Sequence, residues 1–192
     1  MPRKARIRLD KNAVVQAAVE ILNAEGVRAL TLNRLAEKLN IKTPSLYNHV
    51  DGLTGLQQEL SVLNAKLLAD RLGAAAIGKS GADLFMDASQ AFRNFVKEYP
   101  GLYMSTLRSS ATQQVQDPNL KREEERTMSI GLAIMASLGL QGEDAIHGLR
   151  AFRSMVHGFA TLEIAGGFGL PQDCDESFRR LVSALVAGLQ KK

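Results

Sequence analysis

Cysteine is almost missing from this chain, with Cys174 the single one in 192 residues. A lone cysteine cannot close an internal disulfide, and no CxxC or Cys/His cluster is present to hold a structural metal. A reducing, cytoplasmic setting with no cofactor and no metal is therefore the expectation. Strand formers are scarce as well. Val, Ile and Thr number 11, 8 and 7, against 24 Ala and 27 Leu, a balance that favours helix over strand. Long apolar runs are also lacking. The longest stretch without charge, Thr127–Gly142, has 16 residues and contains Ser129, Gly131, Ser137 and Gly139. A membrane span needs about 20 apolar residues, so this segment reads as a buried helix and no membrane association is expected. The start, MPRKARIRLDKNAVV, has charge but lacks the apolar core and small-residue cleavage site of a signal peptide. What remains is ordinary for a globular protein, with 45% hydrophobic and 23% charged residues, which excludes disorder and fibrous repeats.

The charge is unevenly placed. Residues 1–50 carry 9 Lys/Arg and 4 Asp/Glu, a net +5, whereas the rest of the chain nets −1. Arg3, Lys4, Arg6 and Arg8 open the sequence with no acid among them. A basic N-terminal third points to a polyanion, because Lys and Arg that neutralise phosphates release counterions. A solvated tail that only aids solubility is the alternative.

Helical periodicity runs throughout. Asp10 is a good N-cap for a stripe of Ala13, Val14, Ala17, Ala18, Ile21 and Leu22, stopped by Gly26. Thr31 can cap a short helix with the apolar face Leu32, Leu35, Ala36 and Leu39. After Asn40-Ile41-Lys42, Thr43-Pro44 reads as an N-cap and first helical proline, with the helix running to about Val50. A leucine-rich helix follows from Leu53 to about Leu72. The Gly73–Gly81 region is the one plausible linker. Beyond it the pattern gives helices around Leu84–Val96, Gly101–Ser109, Pro118–Leu138, Gly142–Ala165 and Glu176–Leu189. The expectation is an all-α fold of about nine helices. It would comprise a helix-turn-helix unit over 8–60, with its linking helix to about 72, and a C-terminal ligand-binding and dimerisation part over 80–192.

Two short helices joined by a tight turn are the helix-turn-helix pattern, whose second helix enters the major groove. Thr43, Ser45, Tyr47, Asn48 and His49 supply short or planar hydrogen-bonding groups on a segment too short and polar for core packing to explain. The alternative is an exposed connector.

The segment TLNRLAEKLNIKTPSLYNHVDGLTGL resembles the DNA-binding part of TetR-type transcriptional repressors, with Pro44-Ser45-Leu46-Tyr47-Asn48-His49-Val50 as its most specific run. The match covers about residues 8–60. The later VHGFATLEIAGGFGLP is similar to a subgroup marked by a Trp/Val-His-Gly motif, here at His157 and Gly158. The resemblance implies a homodimer that binds double-stranded DNA at a palindromic operator and leaves it when a small-molecule effector binds. It implies that Thr43, Ser45 and Asn48 face base edges, with Pro44 against thymine methyls. Tyr47 and His49 would bind phosphate, joined by Thr31, Asn33 and Arg34, while Leu46 and Val50 pack inward. The family often has lysine where this chain has Leu53, a loss that Lys42 or the basic arm could replace.

A ligand site is expected among aromatic and methionine residues of the C-terminal part: Phe92, Phe95, Tyr103, Met104, Arg108, Met128, Phe152, Met155 and His157. Polarizable side chains with a few polar groups suit an adaptable pocket, although most such residues at helical spacing form core. Other chemistry is weak. Gly166-Gly167-Phe168-Gly169 follows a helix rather than a strand and lacks the context of a phosphate loop. Glu143 and His147 share a helical face without a third metal ligand. Cys174 sits among Asp173, Asp175 and Glu176, which disfavours a thiolate. No enzyme is expected. The readings that stay open are a DNA-binding regulator with an effector, a non-specific or architectural DNA binder without one, and, least supported, a helical-bundle enzyme.

Overall fold

The structure, a computed structural model, describes residues 9–107 and 117–190. Among the described residues every regular element is helical. The α-helices are α1 (Lys11–Glu25), α2 (Leu32–Leu39), α3 (Gly52–Ala75), α4 (Gly81–Glu98), α5 (Pro100–Thr106), α6 (Pro118–Ser137), α7 (Gly142–Ile164) and α8 (Cys174–Leu189). Short 3-10 segments occupy Val27–Ala29 and Thr43–Asn48. The basic arm at Arg3, Lys4, Arg6 and Arg8, and the candidate ligand residue Arg108, lie outside the described residues.

The chain forms two compact units, Met1–Asn64 with Tyr99–Leu120 and Ala65–Glu98 with Lys121–Lys192. Sequence reasoning places residues 99–107 and 117–120 with the C-terminal part, whereas in the structure they cluster with the first unit. The reason is local. Tyr99 offers α5 no side-chain cap. Instead Asn23 Oδ1, on α1, accepts hydrogen bonds from the Gly101 and Leu102 N–H groups at 3.0 and 3.2 Å. A contact of that separation leaves no periodic trace in sequence.

In the first unit the caps fall where the sequence puts them. Asp10 accepts from the Ala13 N–H and Thr31 from the Arg34 N–H. α1 buries Val14, Ala17, Ala18, Ile21 and Leu22 together with Val15 and Val19. Leu35 and Ala36 of α2, Leu46, Val50, and Leu56 and Leu60 of α3 complete the apolar interior. Each leucine fully removed from water contributes about 1.5–3 kcal/mol before entropy is counted.

In the second unit α4 packs on both α7 and α8. Phe85 and Phe152 meet edge to face at 5.1 Å, with Phe92 6.1 Å from Phe152. Beside them lies a buried cation that sequence reasoning missed. Arg93 of α4 is fully buried, forks onto Glu163 of α7 and stacks over the rings of Phe159 and Phe178. In an amphipathic pattern an arginine reads as solvent face, and its partners are too distant in sequence to reveal it.

Candidate nucleic-acid interface

The turn after α2 is closed by Asn40, which adopts φ 54°, while the Ile41 N–H donates to the Ala36 carbonyl at 3.0 Å and the Asn40 N–H to that of Glu37 at 3.0 Å. This pair of bonds is a Schellman motif, and asparagine tolerates the left-handed conformation it needs. The chain then enters Thr43–Asn48, which is 3-10 rather than the α-helix expected from Pro44 to Val50. Lys42 rather than Thr43 stands at its N-cap, and no side chain caps it. Thr43 is committed elsewhere: its hydroxyl donates to Asn33 Oδ1 of α2 at 3.1 Å, tying the two halves of the motif together. Without a cap, and with the Ser45 N–H bonded to the Lys42 carbonyl, the tighter 3-10 winding follows.

This segment separates its faces cleanly. Leu46 is completely buried and Val50 nearly so, as expected of inward-packing positions. Pro44, Tyr47 and Asn48 are exposed, with Tyr47 59% accessible, while Thr43, Ser45 and His49 are half-buried. An alanine-like Cβ at Gly52 would lie 3.8 Å from Tyr47 Cε1, so the Tyr47 ring rests near the start of α3. Of the α2 candidates, Thr31 and Asn33 are exposed and Lys42 stands free in the turn. Arg34 is different. Its Nε and Nη2 fork onto Glu25 at the end of α1, at 2.9 and 2.7 Å, and that hydrogen-bonded guanidinium holds the Glu25 carboxyl below the usual carboxylate range.

The described candidate ligand residues divide between the two units. Phe92, Phe95 and Phe152 are buried in the second unit, where Met155 and His157 are half-buried. Met128 is 48% exposed. Tyr103 and Met104 belong to the first unit, the former buried and the latter 44% exposed. A small cavity of about 40 Å³ lies within the first unit, lined by Leu22, Val27, Leu30, Gln57, Leu60, Ser105 and Thr106. None of the eight described candidates lines it. Among the described residues no group of three or more His, Cys, Asp and Glu could hold a metal, and no helix is long and apolar enough to cross a membrane.

An all-helical protein that displays a short polar segment from a tight turn after a capped helix is a helix-turn-helix transcriptional regulator in form. Residues 85–185 match the family described as Tetracyclin repressor-like, C-terminal domain. Over 185 residues the chain is 30% identical to HTH-type transcriptional regulator YobS of Bacillus subtilis, a match covering 96% of this chain and 94% of that protein. It is equally similar to HTH-type transcriptional regulator Rv0681 of Mycobacterium tuberculosis, over 96% of this chain and 84% of that one. Among solved structures, a Rhodococcus protein superposes with a TM-score of 0.79 at 18% identity, covering 98% of this chain and 100% of that one. A TetR variant from Acinetobacter baumannii in complex with minocycline superposes with a TM-score of 0.70 at 24% identity, covering 96% and 98%. The chain belongs to the TetR family of transcriptional regulators. Its relatives are regulators, not enzymes.

Proposed function

We propose that this regulator is a cytoplasmic homodimeric repressor that binds a palindromic operator through α2 and Thr43–Asn48 and leaves it when a small apolar effector binds its C-terminal part. The observation that carries the DNA half is the division of the recognition segment, with Leu46 buried beneath it while Tyr47 and Asn48 stand exposed. A segment anchored by its apolar residues can present polar groups without moving them. In this reading Thr31, Asn33, Lys42, Tyr47 and His49 hold phosphate and Ser45 and Asn48 read base edges, with Pro44 against thymine methyls. Thr43 contributes chiefly by bracing Asn33.

Selection of bound DNA from a random pool tests this directly. A palindrome is the expected product, with half-sites about 34–36 Å or a multiple apart. On it, Tyr47→Ala weakens binding to matched and mismatched sites alike, whereas Asn48→Ala also loses about 1–3 kcal/mol of discrimination at one base pair. Binding that shows no sequence preference would instead favour the architectural reading. Repeating the assay with a library of hydrophobic compounds tests the effector half. A coupling of about 1–3 kcal/mol appears as a 5- to 150-fold loss of operator affinity.

The dimer reading is supported by uncovered faces on α7 and α8. Ser154, Leu162, Leu181, Ala184 and Gly188 are exposed, and a Cβ added at Gly158 or Gly188 would meet nothing within 4 Å. Small residues between leucines let a second pair of helices approach closely and build a four-helix bundle. Leu181→Glu would place an unpaired charge in that contact, so a monomer by native mass is expected where wild type gives twice the chain mass. A wild-type monomer at micromolar concentration would refute the dimer.

A further inference from the structure

We propose that Glu25 sets the operator affinity of this regulator by holding Arg34 away from the DNA backbone. The inference rests on reading α2 and the Thr43–Asn48 segment as the DNA interface. Arg34 directly follows Asn33, the residue bonded to Thr43 of that segment, in the first turn of the same helix α2. The edge it gives to Glu25, Nε and Nη2 together, is the edge with which arginine grips a phosphate. Glu25 therefore occupies the guanidinium edge that a phosphate would need. The other nitrogen, Nη1, lies 3.8 Å from Glu37, a looser contact with a carboxylate that is 71% exposed.

Helix stability does not account for a glutamate at this position. Glu25 is the last residue of α1, where the helix macrodipole disfavours a negative charge. Arg34 and Glu25 are 39% and 36% exposed, a class of ion pair that adds little to folding. The arrangement also has a counterpart. Glu20, earlier on α1, takes Lys38 of α2 at 2.7 Å, so the acids of one helix neutralise the cations of the next. Lys11 is likewise taken by Glu59 of α3 at 2.6 Å. Of the five Lys and Arg between residues 9 and 50, this leaves Arg28 and Lys42 without a carboxylate partner among the described residues. Three of the nine Lys and Arg of residues 1–50 are therefore already matched by carboxylates.

The test is the slope of log affinity against log salt, measured with full-length protein on the palindrome that selection recovers. Glu25→Gln and Glu25→Ala should steepen the slope by about 0.9, the contribution of one newly neutralised phosphate. A fourfold rise in salt would then cost either variant about 3.5-fold more affinity than it costs wild type. Adding Arg34→Met to Glu25→Gln should return the slope to the wild-type value. Glu98→Gln, which removes one carboxylate paired with Arg71 in the second unit, should leave the slope where it was. An unchanged slope in both Glu25 variants overturns the proposal. So does a steep slope that survives Arg34→Met, or an equal steepening by Glu98→Gln. Absence of any wild-type complex refutes the DNA-binding reading and this proposal with it, whereas an intact wild-type complex with an unmoved Glu25 slope removes the Glu25 assignment alone.

Discussion

Replacing Gly101 with alanine is expected to destabilise the first unit by about 3 kcal/mol or more, the upper end of what overpacking costs. A Cβ at this position would overlap the Leu22 carbonyl of α1 and come within 2.7 Å of the Asn23 backbone nitrogen. Both obstacles are main chain inside a helix, so no rotamer change relieves them. The backbone of α5 would have to lift from α1, and the hydrogen bonds from Gly101 and Leu102 to Asn23 would go with it. Urea unfolding of the full chain measures the loss. Gly73→Ala in α3 is the control, since its Cβ would meet Ile130 at an ordinary 3.7 Å. That change should be neutral or stabilising by about 0.4–1 kcal/mol through the unfolded state. An unfolding midpoint for Gly101→Ala equal to wild type would refute the close approach of α5 to α1.

Gly101 also marks the limit of what the sequence discloses. Features written within one turn of helix were legible. The caps at Asp10 and Thr31, the stop at Gly26 and the alternation of buried leucines all follow from neighbours three or four residues apart. The existence of the recognition segment was legible from its turn and short flanking helices, whereas the inward placing of Leu46 and Val50, which the structure buries, came only from the family resemblance. Its winding was not, because the Thr43 hydroxyl that a local reading assigns to a cap goes instead to Asn33, ten residues earlier. Arg34 is a related case. The guanidinium that the family resemblance assigns to phosphate is held by Glu25, a partner that only the packing of α1 beside α2 supplies. The candidate effector residues were the least legible. Methionine at a helical spacing suits core and surface equally, and Met104 and Met128 turn out exposed.

Loss of the Arg93 side chain should cost about as much as any single change in the second unit, because removing one partner of a buried ion pair typically costs about 3–5 kcal/mol. Its side chain is 1% exposed and its Nε and Nη2 donate to Glu163 at 2.8 and 2.7 Å. Nη1 approaches Asp175 Oδ1 at 2.8 Å without hydrogen-bond alignment, and Asp175 is 78% exposed, so this arm is the weaker one. The guanidinium lies 5.2 and 4.8 Å from the ring centres of Phe159 and Phe178. Arg93→Ala therefore leaves a cavity between two rings and a largely buried Glu163 with only Lys97 beside it. If the cost is mainly that of an unmatched charge, replacing both partners by Arg93→Met with Glu163→Leu should recover most of it. The pH dependence gives a second readout. The Arg93 hydrogen bonds hold the Glu163 carboxyl below its ordinary value of 4.5, against the opposing effect of burial, with Lys97 adding to the lowering. A depressed folded-state value means that the contribution is complete above about 4.5 and fades as the pH falls through the lower folded value. Wild type should thus lose stability over that acid range relative to Glu163→Gln, and the two urea midpoints should converge. Midpoints that stay a constant distance apart from pH 7 into the acid range would show that the Arg93–Glu163 pair contributes packing rather than charge.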